Sequence, residues 1–407
     1  MTRTLFAGGK LFDGTGAAAA DADVVVEGDR IVEVGSGLDG DEHVDVSGKH
    51  LLPGMFDCHT HVIFSHVDYW RMLQTPFSLR FYEAMHNLRK TLEIGITTIR
   101  DAGGADLGIK TAVEDGLIDG PRMQISINMI SQTGGHNDEW MPSGVERLFP
   151  DYPGSPHTIV DGPDEMRRKV RELIRDGADV LKVAVSGGVL SPRDNPRHAH
   201  FRMEELEVLV TEASAAGRWV MAHAQAAEGI KQGVRAGIRS IDHGLFLDDE
   251  AISLMLERGT YLVPTLVAPE GVIRAAEEGA QIPEASLAKA KDVMGAHRES
   301  FARAVEAGVT IAMGTDSGVT PHGENLRELA LMVEGGMTPS AAMVATTKTA
   351  AELMGLDDEL GTVEAGKRAD LVVVDGDPFE FDKLADRIEA VYKDGRRTPV
   401  WRADPAP

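Results

Sequence analysis

From about residue 54 to residue 359 the chain alternates short, nearly continuous apolar runs with longer stretches of helical period. The runs are Thr97–Asp101, Met123–Asn128, Val180–Val185, Trp219–Ala222, Ser240–Asp242 and Tyr261–Leu266. Short apolar runs bounded by turn signals predict buried strands, and strands alternating with helices predict a parallel sheet with right-handed crossovers. With Met55–Val62 as the first strand and Ile311–Asp316 as the last, the pattern predicts a complete (β/α)8 barrel. Outside this region the texture changes. Val24–Glu27 and Arg30–Val34 are strand-like runs broken by Gly and Asp, and Ala369–Asp375 and Ile388–Tyr392 repeat them before the turn at Lys393-Asp-Gly-Arg. The acidic stretch Pro283–Gly308 predicts a long solvated helix whose charges need no special function. No short-period repeat or low-complexity segment interrupts the chain.

Composition narrows the classes. A chain of 407 residues with 43% hydrophobic content can bury a substantial core and has room for an accessory domain beside a barrel. Lys+Arg 41 against Asp+Glu 65 gives a formal charge of -24, which disfavours phosphate backbones and anionic membranes, so neither nucleic acid nor membrane is an expected partner. A single cysteine, Cys58, excludes an intramolecular disulfide framework and reads as a small buried hydrophobe. The first residues lack an apolar signal core and no later run is long enough to span a bilayer, so the expected location is cytoplasmic.

The candidate chemistry sits at the ends of the predicted strands. Alternate strand residues share a face, so His59 and His61 in His-Thr-His project toward one spot. His223, His243 and Asp316 each stand where an apolar run meets a turn signal, the end at which barrel enzymes keep their catalytic groups. Taken singly, each histidine reads as a satisfied core or surface side chain, and Asp316 as a helix cap. Lys182 is different, because an unpaired lysine is almost never buried in a parallel-strand pattern and this one needs a partner.

Three long motifs carry a resemblance: Gly8-Gly-Lys-Leu-Phe-Asp-Gly-Thr-Gly, Leu52-Pro-Gly-Met-Phe-Asp-Cys-His-Thr-His and Gly361-Thr-Val-Glu-Ala-Gly-Lys-Arg-Ala-Asp-Leu-Val-Val-Val-Asp. With the strand-end residues above, the chain resembles the amidohydrolase superfamily over nearly its whole length, in the subgroup whose two metals are bridged by a carboxylated lysine. Thr133-Gly-Gly-His and Ser186-Gly-Gly-Val-Leu-Ser-Pro are similar to the prolidase-like branch of Xaa-Pro dipeptidases, carboxypeptidases and ochratoxinase-type amidases. The resemblance implies a TIM barrel over residues 54–359 and a composite β-sandwich from residues 1–53 and 360–407. It implies two divalent metal ions, zinc by default, bridged by N6-carboxylated Lys182. His59, His61 and Asp316 would hold the more buried ion, and His223 and His243 the more exposed one.

Carboxylation turns the lysine into an anionic oxygen ligand, and paired metals acidify a shared water to near ~7. The implied reaction is hydroxide attack on a carbonyl polarised at the His243 side, with Asp316 shuttling the proton to the leaving nitrogen. His136 is the further catalytic candidate, facing an oxyanion or a terminal carboxylate. His136, Gln225 and Arg193 are the substrate-binding candidates. Gln225 departs from the Tyr that many prolidase-like relatives carry two residues past the first single histidine. His198 and His200 imitate a metal pair by spacing but fall outside the strand-end framework, as loop or lid residues.

The expected activity is cleavage of a peptide or amide bond in a dipeptide or N-acyl amino acid bearing a free carboxylate. The alternative is the same chemistry on a cyclic amide, carbamate, urea or ester, as in imidazolonepropionase-like or xenobiotic amidohydrolases. Mononuclear deamination is disfavoured, since Ala226 stands where that branch places Glu and Lys182 is present. A non-catalytic scaffold would have lost ligands, and none is missing. The partner is a small molecule, and relatives are often homo-oligomers.

Overall fold

A computed structural model of the chain describes residues 2–146, 148 and 150–399. Met1 and residues 400–407, the outer ends of the expected composite domain, lie outside the described residues.

The fold is α/β with two parallel sheets in the middle of the chain. One orders Arg122–Ile125, Ile96–Asp101 and Met55–Thr60; the other orders Met129–Ile130, Val180–Ala184, Trp219–Ala224, Ser240–His243 and Tyr261–Val263. Every residue of Met55–Thr60, Ile96–Asp101 and Val180–Ala184 is buried, as continuous apolar runs covered on both faces must be. Helices intervene as the period predicted, among them Pro163–Arg175, Met203–Ala215, Ala227–Ala236 and Asp249–Arg258. Local chemistry starts some of them: the Asp106 and Asp248 carboxylates accept from the Ile109 and Ala251 amides, capping helices Leu107–Glu114 and Asp249–Arg258. Cys58 is fully buried. Among the described residues no helix is long and apolar enough to cross a membrane.

Three predicted elements differ in detail. The run from Met123 breaks after Ile125 and resumes at Met129–Ile130, because Ile127 takes a positive φ of 67° and its carbonyl turns to accept from the Gly104 amide at 2.8 Å. The strand at Tyr261 stops at Val263, because Pro264 has no N–H to continue the ladder. Ile311–Asp316 makes single bridges rather than a ladder. Ile311 bridges Leu262, the Cys58 amide donates to the Met313 carbonyl at 2.9 Å, and the Asp316 amide donates to the His59 carbonyl at 2.7 Å.

The long helix Glu284–Ala307 was expected to be solvated, yet it buries Ala290, Val293, His297, Ser300, Phe301 and Ala304. Its charges are used too. Lys289 Nζ donates to the Gly188 and Ser191 carbonyls at 2.9 and 2.6 Å.

Two further sheets lie at the ends of the chain. A four-stranded sheet orders Arg30–Gly35, Asp23–Glu27, Arg3–Ala7 and Glu42–Asp45. A six-stranded sheet joins both ends, with Leu371–Val374 antiparallel to His50–Pro53 and to Ile388–Lys393. One apolar cluster draws on both sheets and includes Phe6, Val24, Leu51, Val373 and Tyr392; the Phe6 and Tyr392 rings meet edge to face at 4.8 Å.

The hairpin closing this sheet has Asp394 and Gly395 as its two loop residues, at φ 50° and 72°, between paired Lys393 and Arg396. Both loop residues at positive φ define a type I′ turn, which matches the twist of antiparallel strands. A Cβ at Gly395 would lie 2.1 Å from the Gly28 carbonyl oxygen. Gly395→Ala is therefore expected to destabilise the protein by about 1–3 kcal/mol, read as a lower urea midpoint. An unchanged midpoint would show that the turn relaxes freely.

Candidate active site

The two parallel sheets and the segment that ends at Asp316 bring His59, His61, Lys182, His223, His243 and Asp316 to one apolar-walled pocket, lined also by Phe64, Tyr69, Met72, Trp140 and Leu245. His59 and His61 point the same way because they sit two apart at the end of an extended segment. His243 and Asp316 reach the same space by a different route. Alternation would send each to the face opposite its neighbours Asp242 and Thr315, but both adopt left-handed backbone, at φ 75° and 62°. Such conformations cost of order 1–3 kcal/mol each and persist only where the surroundings impose them.

Nε2 of His59 and Nε2 of His61 lie 3.5 and 3.2 Å from Asp316 Oδ1. One atom from each of these three residues falls within 4.8 Å of the others, a grouping that can hold a metal ion. The second nitrogen of each ring is occupied. His59 Nδ1 donates to Asp242 Oδ2 at 2.9 Å, His61 Nδ1 to the Gly103 carbonyl at 2.7 Å, and His243 Nδ1 shares a hydrogen bond with Thr265 Oγ1 at 2.7 Å. His223 is turned the other way, with Nε2 donating to the Gly187 carbonyl at 3.2 Å and Nδ1 left for the site. The His59 and His243 rings are 4.9 Å apart, and those of His223 and His243 4.6 Å.

Electrostatics keeps most of these groups in ligand form. Burial lowers His59 to about 4, assisted by Lys182, and pushes His223 and His243 well below the ordinary histidine value. These imidazoles are neutral near pH 7. His61 goes up instead: burial opposes its charge, but Asp316 outweighs burial. Burial lowers Lys182 against the pull of Asp242. Asp316 lies well below the carboxylate range, because His59, His61 and His243 outweigh its burial.

His136 stacks on His223, ring centroids 4.0 Å apart. Gln225 lines the pocket at 4% exposure, and its Oε1 has no hydrogen-bond partner among the described residues. Arg193 lies at the rim with its guanidinium 4.9 Å from the Trp140 ring centroid. His198 and His200 fall on the loop beyond and do not line the pocket.

Sequence reading missed Asp242, which is wholly buried. It accepts from Lys182 Nζ at 2.9 Å, Arg100 Nη2 at 3.3 Å and Ser240 Oγ at 3.0 Å as well as from His59. It is the partner that a buried Lys182 demanded. The signal was its position immediately before His243, and alternation disguised it, since only one of two adjacent strand residues is expected to face inward. Thr265 was missed for want of any signal.

The chain matches the model of the amidohydrolase family over residues 50–400. It is 35% identical to ochratoxinase from Aspergillus niger over 419 aligned positions, covering 98% of this chain and 85% of the relative. Among solved structures, a Xaa-Pro dipeptidase with methionine bound in its active site superposes with a TM-score of 0.89 at 34% identity, covering 98% of this chain and 100% of the other. A prolidase complexed with N-methylphosphonate-L-proline gives 0.88 at 34% identity, covering 98% and 99%. The chain belongs to the amidohydrolase family. It is a hydrolase that acts on small molecules, with amide hydrolysis as the supported chemistry.

Removing Asp242 leaves Lys182 and Arg100 buried without their shared anion. Asp242→Ala is expected to cost about 3–5 kcal/mol in denaturant unfolding. Burial raises the pKa of Asp242, but Lys182, Arg100 and His59 outweigh it and hold the folded value below the unfolded one. This stabilisation is therefore present above pH ~4 and lost as pH falls toward the folded value. A variant as stable as the parent at pH 7 would show that Lys182 and Arg100 are satisfied without Asp242.

Proposed function

We propose that this protein is a metal-dependent hydrolase that cleaves the amide bond of a dipeptide or N-acyl amino acid next to a free carboxylate. The observation that carries the reading is the convergence of His59 Nε2, His61 Nε2 and Asp316 Oδ1, with the remaining nitrogens of His59 and His61 tied to Asp242 and Gly103. Imidazoles oriented by outer hydrogen bonds, as both are, and held neutral by burial, as His59 is, are what divalent cations require. In this reading the two parallel sheets, with residues 311–316 as eighth strand, are arcs of one (β/α)8 barrel over residues 54–359. In the same reading the terminal sheets form a β-sandwich from the described residues of the expected segments 1–53 and 360–407. The bridges of Ile311 to Leu262 and of Ser317 to Thr60 support closure.

His59, His61 and Asp316 would hold one cation and His223 and His243 a second, zinc being the default metal. Lys182, carboxylated on Nζ, would lie between them. Burial favours its neutral amine, the form that adds to carbon dioxide with release of a proton. When bound, divalent cations supply Lewis acidity toward a carbonyl and make water a stronger acid. The chain's own groups do the rest. Asp316 accepts the proton of the attacking water and returns it to the departing nitrogen. His136, beside His223, faces the developing oxyanion or the substrate carboxylate, and Arg193 pairs with that carboxylate at the rim. Gln225 presents its unpaired Oε1 to a substrate N–H. The supported branch is prolidase-like, since the two solved structures above include a dipeptidase and a prolidase.

Metal analysis combined with a panel of L-Xaa-L-Xaa dipeptides and N-acyl amino acids, with released amino acid as readout, tests this reading. Close to two ions per chain and hydrolysis abolished by chelation are expected, with His59→Ala losing metal and at least about 100-fold in turnover. Turnover of lactams or lactones alone would refute the carboxylate-adjacent specificity. Full activity after exhaustive chelation would refute the metal-dependent mechanism.

A further inference from the structure

The loop after Val180–Ala184 is fastened by side chains of two other elements, the helices Tyr69–Gln74 and Glu284–Ala307. Tyr69 Oη and Ser286 Oγ both donate to the Leu190 carbonyl, at 2.8 and 2.7 Å. Lys289 Nζ donates to the Gly188 and Ser191 carbonyls and, at 3.0 Å, to Asp194 Oδ1. The Asp194 side chain is only 2% exposed, and its Oδ2 accepts from the Gly188 amide at 2.9 Å. The same oxygen lies 3.3 Å from His136 Nδ1. Ser191 Oγ lies 2.7 Å from that nitrogen and makes a short hydrogen bond to Asp194 Oδ1.

An ionised carboxylate only accepts. With the Ser191 hydroxyl spent on Asp194, both partners of His136 Nδ1 present oxygen lone pairs, and the ring proton belongs on Nδ1. Nε2 is then the nitrogen offered to the pocket. With the ring in this position nothing but glycine fits at 188, where a Cβ would lie 2.1 Å from His136 Cε1. The Ser186-Gly-Gly motif is thus the seat of the imidazole.

We propose that Asp194 and Lys289 are positioning residues for hydrolysis: Asp194 fixes the orientation and Nδ1–H tautomer of His136, and Lys289 fixes Asp194. Through Lys289 the helix Glu284–Ala307 sets the alignment of the group that meets the substrate. This rests on the reading of His136 as a substrate-facing residue.

The test uses the metal-loaded full chain and whichever dipeptide or N-acyl amino acid it cleaves fastest. Asn at 194 can donate to Nδ1 and favour the opposite tautomer. Asp194→Asn is expected to lower kcat roughly 10–100-fold, with KM within about twofold and with metal content and Tm unchanged. Lys289→Met should lose less and Lys289→Arg should recover most of that loss. The double variant Asp194→Asn/Lys289→Met should be no worse than Asp194→Asn alone, because both act on one ring. Should Asp194→Asn fail to fold, Ser191→Ala and Lys289→Met carry the same kcat test. Nitrogen-15 NMR of the His136 ring reads the tautomer directly, so the proposal stands or falls even if no substrate of the panel is cleaved. Nδ1 protonation in the parent and its loss in Asp194→Asn support it. An Nε2–H parent ring, an unchanged kcat in the variants, additive losses in the double variant, or a loss that tracks metal content or Tm would each overturn it.

Discussion

Asp242 is an anion buried away from solvent, and the centre of the protein is arranged so that it can stay one. Lys182, Arg100, His59 and the Ser240 hydroxyl all converge on its two oxygens. The first three come from three other strands, Val180–Ala184, Ile96–Asp101 and Met55–Thr60. A charge in a low-dielectric interior is tolerable only if such donors arrive together. The strand registers must therefore be right before the charge is satisfied; Lys182 pairs with Met221 and His223 with Asp242 across neighbouring strands. Packing and chemistry are coupled at this carboxylate. The same contacts that settle the fold orient His59 and hold Lys182 at the pocket floor.

Around that fixed point the site is assembled by backbone that departs from regular strand. His243, Asp316 and Thr265 all take positive φ, and all three either line the pocket or orient a residue that does. The imposing structure is visible. Asp57 accepts from the His59 and Thr315 amides, the Thr315 hydroxyl and Asn325 Nδ2, tying the His59 strand to the segment that ends in Asp316. His297 donates toward the His243 and Pro264 carbonyls, and Glu328 accepts from the Leu266 and Val267 amides, immobilising the turn that presents Thr265. Rigid surroundings of this kind let strained residues persist, and a pre-formed array loses little freedom when a substrate binds.

How much was legible beforehand follows from the range of each interaction. His59 and His61 were readable because strand alternation is a local rule, and Lys182 because a lysine inside an apolar run violates one. The parallel, buried strands were readable for the same reason. The long helix Glu284–Ala307 was read correctly in extent but not in role, since only the fold brings Lys289 against the loop at Gly188. The interruption at Ile127 likewise depends on an amide from Gly104 in another segment.

The sequence by itself determined the chemical type of each candidate side chain and the alternation of buried strands with helices, because side-chain type and period are properties of neighbours along the chain. The tertiary structure alone decided that Asp242 is the partner of Lys182, that His243 and Asp316 swing inward on left-handed backbone, and that Asp194 holds His136. Those relations join residues far apart in sequence, and the burial that makes them strong exists only once the chain has closed around them.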